Sequence, residues 1–266
     1  MCDEPRGFVG AGGPHMRKWI AASVAALGLW STGSALAGPG TARPLVAVID
    51  SGVARTPELA PHLVAEHDLG SASPRAAFTP RYDHGTMVAT ILSRAAGGGV
   101  DLVSLRIDDP AGCPPALNPP CQPSAAPIAA AIRKATALGV SAINISLTLK
   151  HDAAITDAIR EAAAKGITIV LAAGNDGRDA PANLDAAIAG YPSTVLVGAL
   201  DAAGQPWRGT NRPEAHPSGR YRYVWRRGVD VPAAIADGRP AHGTGTSFAA
   251  PIEAGLHFKA PVTTAE

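Results

Sequence analysis

The amino-acid sequence predicts an α/β fold in which helices cover a mostly parallel, doubly wound central sheet. Short apolar runs alternate along the chain with segments whose apolar residues recur at helical spacing. The first run, residues 45–49, contains no polar residue, which is typical of a strand buried on both faces of a parallel sheet. Strands that alternate with helices indicate such a sheet. Hydrophobic residues make up 46% of the 266 residues and charged residues 17%, so one sizeable core can form.

The predicted elements follow in a regular order. After the strand at 45–49, residues 54–83 show no clear periodicity and are interpreted as a long loop region. A helix then begins at His84 and ends at three glycines, residues 97–99. The elements after it are strand 101–107, helix 126–138, strand 141–147, helix 152–165 with Asp152 as its cap, strand 167–172 and strand 195–200. No internal repeat is visible, and no linker divides this part of the chain.

The N-terminal region has the three-part layout of a secretory signal peptide. Two basic residues precede an apolar run at 19–30, and residues 35–37 form a small-x-small cleavage site. The run is shorter than a bilayer-spanning helix requires, so cleavage is favoured over a stable membrane anchor. We therefore predict a signal peptide from Met16 to Ala37 and a secreted or periplasmic protein. Residues 1–15 are interpreted as a mis-annotated leader.

Two cysteines of the predicted mature chain flank a Pro-rich loop. Cys113 and Cys121 lie eight positions apart in GCPPALNPPCQP, and an exported protein meets an oxidising compartment. A disulfide that closes this loop is the preferred interpretation. A zinc site is disfavoured because zinc requires about four ligands and no histidine lies nearby.

Five short motifs carry the chemistry, although each alone has an ordinary structural explanation. In order they are VAVIDSGV, HGTMVATIL, INISL, VLAAGNDG and GTSFAAP. Asp-Ser-Gly is a common turn, and Ser247 in the last motif could simply cap a helix. Together and in this order, the motifs resemble those of the subtilisin-like serine proteases, the subtilases. The resemblance covers about residues 45–256 and implies the three-layer fold of that family.

The resemblance implies a catalytic role for four residues. Ser247 is expected to be the nucleophile, His84 the general base and acid, and Asp50 the carboxylate that orients His84. The side-chain amide of Asn175 and the backbone N–H of Ser247 are expected to form the oxyanion hole. The resemblance thus implies a serine endopeptidase that works through an acyl-enzyme intermediate.

Substrate contacts are implied by the same resemblance. Ser146, Leu147 and Thr148 match the strand and turn that line the family's specificity pocket and pair with the substrate backbone. The usual pattern has glycine where this chain has Thr148, so a Cβ is expected to crowd the substrate there. Asp176 is expected to favour a basic side chain. The cysteine loop, which follows strand 101–107, could form a rim of the cleft or be a plain surface loop.

An inactive homologue is the alternative hypothesis. Residues 38–266 would form a subtilisin-like peptidase domain, but few residues separate Ala37 from the first strand, and the chain ends soon after the nucleophile. The family usually has a propeptide and a longer C-terminus. A truncated or degenerate protein that folds poorly, or only binds peptides, is therefore left open.

Partners and cofactors are predicted mainly from charge and family. The formal net charge of +1 gives no general attraction to nucleic acid. The segment RYRYVWRRG, residues 220–228, could belong to a nucleic-acid surface, but its alternation also suits a charged edge strand. We expect a monomer that acts on polypeptides, binds no nucleic acid and requires no cofactor. No metal ligands are assigned, and a structural calcium, which is common in the family, has no identifiable site.

Overall fold

A computed structural model describes residues 42–114 and 120–259 of the chain. The predicted signal peptide and the leader before it lie outside these residues. The strands are β1 (Leu45–Asp50), β2 (Leu63–Asp68), β3 (Asp101–Arg106), β4 (Ala142–Ile145), β5 (Thr168–Ala172), β6 (Thr194–Leu200), β7 (Tyr223–Arg227), β8 (Val231–Ala234) and β9 (Pro240–Gly243). The helices are α1 (His84–Ala95), α2 (Ala126–Ala137), α3 (Ala153–Ala164), α4 (Leu184–Ala189) and α5 (Thr246–Leu256).

Seven strands form one sheet in the order β2-β3-β1-β4-β5-β6-β7, and every neighbouring pair is parallel. Helices α1 and α5 cover one face, where apolar residues such as Val88 and Ala250 pack against Val48. Helices α2, α3 and α4 cover the other face, where Ile132 and Ile159 belong to the larger apolar cluster. The predicted doubly wound α/β class is therefore confirmed.

Strand β2 corrects the prediction of a continuous loop at 54–83. It lies at one edge of the sheet, and only its first residue, Leu63, is fully buried. Val64 is 52% exposed, and a register irregularity interrupts the pairing with β3 near Ala65. An edge strand with mixed exposure carries no clear apolar period, so its sequence gave no strand signal. The opposite edge is β7, and the segment RYRYVWRRG thus supplies an edge strand.

A buried ion pair lies at the carboxyl end of β3. Arg106 is 4% exposed, and its Nε donates to Asp108 Oδ1 over 2.8 Å. Its Nη1 donates to the carbonyl of Thr79 over 3.2 Å, and its Cδ would lie 3.0 Å from a Cβ at Gly52. Arg75 also contacts Asp108, at 3.1 Å. The cluster ties the turn after β1 to the loop that leads to α1.

Replacing Arg106 with methionine is expected to lower the free energy of unfolding by about 3 kcal/mol, because it leaves a buried carboxylate with one partner fewer. The loss should lie near the lower end of the usual range, since Asp108 keeps Arg75. Chemical denaturation followed by circular dichroism measures it. Arg160→Met removes an exposed ion pair with Asp157 and should change stability by less than about 0.5 kcal/mol. Equal effects of the two substitutions would contradict a structural role for the buried pair.

Within 42–114 and 120–259, no helix combines the length and apolar character that crossing a bilayer requires.

Candidate active site

The predicted site residues meet at the carboxyl edge of the sheet. Asp50 is the last residue of β1, Ser146 follows β4, and Asn175 comes three residues after β5. These neighbouring parallel strands end at the same edge, where ligands usually bind in doubly wound sheets. His84 is the first residue of α1 and Ser247 the second of α5, and both helices lie on the same face. The topology therefore gathers all of these residues, which are far apart in sequence.

Asp50 and His84 form a close, largely buried pair. His84 Nδ1 lies 2.8 Å from Asp50 Oδ1 and 3.0 Å from Oδ2. The Asp50 side chain is 0% exposed and that of His84 16%. A carboxylate accepts a hydrogen bond from Nδ1–H, which places the second ring proton, when present, on Nε2. The neutral ring therefore has Nε2 free to accept a proton.

The turn after Asp50 explains the glycine that follows His84. Ser51 donates its backbone N–H to Asp50 Oδ1 over 2.7 Å, and Ser51 Oγ accepts the N–H of Gly85 over 3.1 Å. A Cβ at Gly85 would overlap the carbonyl of Gly52 and lie 3.2 Å from Asp50 Oδ1. Only glycine thus lets the start of α1 approach the carboxylate this closely.

Two opposing effects set the pKa of His84. Burial of the ring lowers it, but the charge of the Asp50 carboxylate and the hydrogen bond to it outweigh burial. The pKa of His84 therefore lies above its ordinary value of 6.5. The ring holds a proton more readily than a free histidine, and it loses that proton above this raised pKa.

Ser247 does not cap its helix. The N-cap of α5 is Gly245, and no side chain makes a capping hydrogen bond there. Ser247 Oγ donates to the carbonyl of Ser146 over 2.9 Å. Among the described residues no hydrogen bond joins Ser247 to His84, although the ring of the next residue, Phe248, lies 5.5 Å from the His84 ring, centroid to centroid. The hydroxyl is thus directed toward the segment after β4.

The Asn175 side chain is oriented by Thr246. Asn175 Oδ1 accepts the backbone N–H of Thr246 over 2.8 Å and its hydroxyl over 2.9 Å. Because a backbone N–H can only donate, the oxygen of the amide must face Thr246. Thr246 Oγ1 also accepts the N–H of Gly174 over 3.1 Å. The NH₂ group of Asn175 is therefore left to donate elsewhere.

Gly245 allows this arrangement. Its φ is +144°, and a Cβ there would lie 3.1 Å from Asn175 Nδ2. Both the backbone conformation and the close approach favour glycine. The backbone N–H of Ser247 lies in the first turn of α5, where no intrahelical acceptor exists. Two donors, from Asn175 and Ser247, thus stand at the same helix start.

An open cleft of about 1170 Å³ contains His84, Asn175 and Ser247. All four residues predicted to contact substrate also line it: Ser146, Leu147, Thr148 and Asp176. Asp50 lies behind His84, completely buried. The predicted catalytic and substrate-contacting residues therefore line one cleft, except Asp50, which is buried behind His84.

Residues from both described ends of the cysteine loop line this cleft. Cys113 and Cys121 are joined by a disulfide, and Pro114, Pro120 and Cys121 line the cleft. The backbone N–H of Cys113 donates to the hydroxyl of Tyr82, two residues before His84, over 3.0 Å. The described ends of the loop thus lie at the cleft, while residues 115–119 lie outside the described part of the chain.

Two residues that support the site, Thr246 and Asn183, were not predicted from the sequence. Thr246 lies inside the GTSFAAP motif but was given no role. Asn183 is 3% exposed and bonds the segments after β4 and β5. Asn183 bonds only backbone groups of distant segments, and Thr246 bonds the Asn175 side chain and the N–H of Gly174. Beyond the motif around Thr246, the sequence offers no signal for either residue. No group of three or more potential metal-ligating side chains occurs within 42–114 and 120–259.

Comparison with known proteins gives a family match over most of the chain. The model of the subtilase family matches residues 41–257. Subtilisin-like protease 2 of Pseudogymnoascus destructans is 36% identical over 120 residues, which cover 44% of this chain and 28% of the fungal protein. Subtilisin-like protease 2 of Trichophyton verrucosum is 36% identical over 116 residues, 43% of this chain and 26% of the fungal protein. The chain thus spans little more than a quarter of the length of the curated relatives it matches.

Solved structures share the fold. A cold adapted subtilisin-like serine proteinase superposes with a TM-score of 0.62 at 24% identity, covering 79% of this chain and 72% of that one. The prenylagaramide maturation protease PagA superposes with a TM-score of 0.61 at 22% identity, covering 80% and 73% of the two chains. At these identities the likeness concerns the architecture alone.

Proposed function

Since the chain belongs to the subtilase family, we propose that it is a serine endopeptidase that hydrolyses polypeptides with Asp50, His84 and Ser247. The observation that carries this proposal is the buried Asp50–His84 pair, which opens onto the same cleft as Ser247. A serine hydroxyl attacks a carbonyl only when a base removes its proton. His84 has the required free nitrogen, and Asp50 holds its ring in place.

In the proposed reaction, rotation of the Ser247 side chain from the Ser146 carbonyl toward His84 precedes attack. Ser247 Oγ forms a bond to the scissile carbonyl carbon, and its proton passes to His84 Nε2. The tetrahedral intermediate collapses as His84 gives that proton to the leaving amine. Water then attacks the acyl carbon while His84 accepts a proton from it. His84 returns this proton to Ser247 Oγ as the acyl-enzyme ester bond breaks, which restores the Ser247 hydroxyl.

The oxyanion of both tetrahedral intermediates is proposed to accept hydrogen bonds from Asn175 Nδ2 and the Ser247 backbone N–H. The orientation of the Asn175 amide toward Thr246 supports this role, because it leaves the NH₂ group available. The N-terminal end of α5 adds a partial positive charge near the developing negative charge.

We also propose that the protein is exported. The support is the layout of residues 16–37 and the disulfide between Cys113 and Cys121, a bond that persists in oxidising compartments. We further propose that the protein is a monomer and that its reaction requires no cofactor. Its polypeptide substrate would be extracellular or periplasmic.

Labelling with an alkyl fluorophosphonate probe tests the proposed activity. We expect covalent labelling at Ser247, located by mass spectrometry of the digested protein, and none in Ser247→Ala. Circular dichroism establishes that both proteins are folded. A folded protein without labelling at Ser247 would refute the peptidase and favour the alternative of an inactive, peptide-binding homologue.

The rate is expected to fall as the pH is lowered through the raised pKa of His84. The base must be neutral to accept a proton, and the neutral fraction grows as the pH rises through the pKa. Because Asp50 holds this pKa above 6.5, the midpoint of the acid limb of kcat/KM should lie above pH 6.5. Hydrolysis of a peptide anilide between pH 5 and 9 measures it. A midpoint well below 6.5 would contradict the role of Asp50 in raising this pKa.

Replacing Asn175 with alanine is expected to lower kcat by about 10²–10³-fold with little change in KM, the loss seen when the corresponding donor is removed from subtilisin. The amide would act on the oxyanion, which exists only in the intermediates. Steady-state kinetics with a peptide anilide measures the loss. Asp179→Ala changes an exposed side chain four residues away and serves as the control. A large rise in KM at unchanged kcat would contradict oxyanion stabilisation.

A further inference from the structure

Two apolar side chains, Met87 and Phe248, lie beside His84 in the cleft. Both are half-buried and line the cleft together with His84. Behind them is a third apolar cluster, against which both side chains pack, formed by Ile91, Val231 and Ala233. Met87 and Phe248 thus form an apolar shelf, with its back against buried residues and its front open to whatever enters the cleft.

The ring of Phe248 is held from two sides. Its centroid lies 5.5 Å from that of the His84 ring, and the two planes are tilted by 55°. On another side, three of its ring carbons lie 2.6 Å from where a Cβ of Gly243 would be. The ring therefore rests against the backbone of Gly243, where any larger residue would displace it. The shelf thus has a defined position relative to His84.

Met87 extends the shelf along α1. It lies three positions after His84, the first residue of this helix. Residues three apart share a helix face, and helical side chains lean toward the N-terminus of their helix. The Met87 side chain therefore leans toward the end of α1 that carries His84. Because its thioether chain is unbranched and flexible, it can adapt to an apolar group of varied shape.

The leaving amine of the proposed reaction must lie next to His84. Asp50 engages Nδ1 of the ring, so Nε2 is the atom that gives the amine its proton. In the residue that owns this amine, the Cβ is two bonds, roughly 2.5 Å, from the nitrogen. Its side chain therefore begins within reach of the shelf. The acyl part of the substrate is expected to lie along residues 146–148 instead.

Asp83, directly before His84, is a charged neighbour of the shelf. Its Oδ1 accepts the N–H of Ala236 over 2.9 Å, and its side chain is exposed to solvent. Water and salt screen such a carboxylate, so it attracts a basic side chain only weakly. Removal of apolar surface from water is therefore the larger contribution to selectivity on the shelf.

We propose that Phe248 and Met87 are specificity-determining residues, which select a large aliphatic or aromatic side chain on the residue whose amine leaves. This inference rests on the proposed peptidase function. An apolar side chain laid on the shelf is removed from water, and so is the exposed part of the Phe248 ring. A polar side chain of the same size would lose hydration there without gaining a hydrogen-bond partner.

Partitioning of one acyl-enzyme between water and added amines tests this inference on the full chain. A peptide thioester acylates Ser247 and releases its thiol, and an amino-acid amide then takes the place of the leaving amine. The amide's α-amino nitrogen attacks the acyl carbon and gives a proton to His84. The bond to Ser247 Oγ breaks, and Oγ takes that proton. Because the acyl group is the same throughout, the products report the leaving-group side alone.

Leucinamide and asparaginamide are the matched pair, since their side chains have nearly the same shape and differ in polarity. At pH 9 both α-amino groups are mostly unprotonated. We expect leucinamide to be incorporated at least about 5-fold faster than asparaginamide in direct competition. Equal incorporation, or a preference for asparaginamide, would overturn the inference. Faster incorporation of argininamide than of leucinamide would also overturn it and would assign the selectivity to Asp83.

Hydrolysis of the thioester separates this result from the fate of the proposed function. Hydrolysis that depends on Ser247, with no preference for leucinamide or with no peptide product, refutes the role of the shelf and leaves the peptidase standing. A folded protein that neither hydrolyses the thioester nor is labelled by the alkyl fluorophosphonate refutes the peptidase and this inference with it.

Phe248→Ala removes most of the shelf and is expected to lower the leucinamide-to-asparaginamide ratio at least about 3-fold. Phe248→Leu keeps an apolar side chain and should retain most of the ratio. Phe258→Ala shortens a phenylalanine that lies outside the cleft, two residues after α5, and should leave the ratio unchanged. A general loss of activity does not alter the ratio, because both amines compete for the same acyl-enzyme.

An unchanged ratio in folded Phe248→Ala would contradict the role of Phe248. If that variant does not fold, the ratio measured with the wild type still decides the inference.

Discussion

Ser247→Ala is expected to lower kcat by about 10⁶-fold, the loss measured when the nucleophile of subtilisin is removed. The substitution deletes the oxygen that would form the acyl-enzyme, while α5 and the Asp50–His84 pair remain. Alanine suits a helix, and the lost hydroxyl makes one hydrogen bond, to the Ser146 carbonyl. Steady-state hydrolysis of a peptide anilide by the purified variant gives kcat, and thermal denaturation verifies that the fold is retained.

His84→Ala provides the matched comparison for this first prediction. If the two residues act as one unit, it should lose about as much kcat as Ser247→Ala, and the double variant should lose little more. Losses that multiply in the double variant would mean that His84 and Ser247 act independently. That outcome would contradict the proposed transfer of the Ser247 proton to His84.

Asp50→Asn is expected to lower kcat by about 10⁴-fold and to shift the acid limb of kcat/KM to lower pH. The amide can present an N–H to His84 Nδ1 and so stabilise the tautomer with its proton on Nε2, which cannot act as the base. Removing the carboxylate also removes the two contributions that raise the pKa of His84, its charge and its hydrogen bond. Measuring the full pH profile of the variant records both effects.

Asp101→Asn is a suitable control. Asp101 is the first residue of β3, at the edge of the sheet away from the site, and it pairs with exposed Arg43. Its kcat and pH profile should match those of the wild type. An Asp50→Asn profile whose midpoint moves to higher pH would contradict the electrostatic account, whatever its rate.

The fold was largely predictable because its central strands are buried. The uninterrupted apolar run at 45–49 identified a central strand correctly, and the family inferred from the ordered motifs is confirmed by the match over residues 41–257. Strand β2 and the two-stranded β8–β9 sheet were missed, since none of these strands has more than two buried residues in succession. Partial burial removes the pattern on which sequence-based assignment depends.

The site residues that were predictable are those that lie within the five sequence motifs. The structure brings Asp50, His84, Asn175 and Ser247 to one edge of the sheet, but their catalytic roles remain predictions. Asn183 could not be identified from sequence, because its amide bonds only backbone groups of segments that many residues separate from it. Such a residue becomes recognisable only once the two segments are side by side.

The wide sequence separation of the site contacts has a consequence for how the chain acquires activity. The Asp50–His84 bond joins residues 34 positions apart, the Asn175–Thr246 bond 71, and the Ser247–Ser146 bond 101. Contacts of this range form late and slowly, because large loops must close before any contact compensates for their lost entropy. A chain still emerging from the ribosome, with α5 not yet synthesised, lacks the proposed nucleophile Ser247 and the Thr246 that orients Asn175. The proposed peptidase activity would therefore arise only after most of the chain has been synthesised and α5 has packed against the sheet.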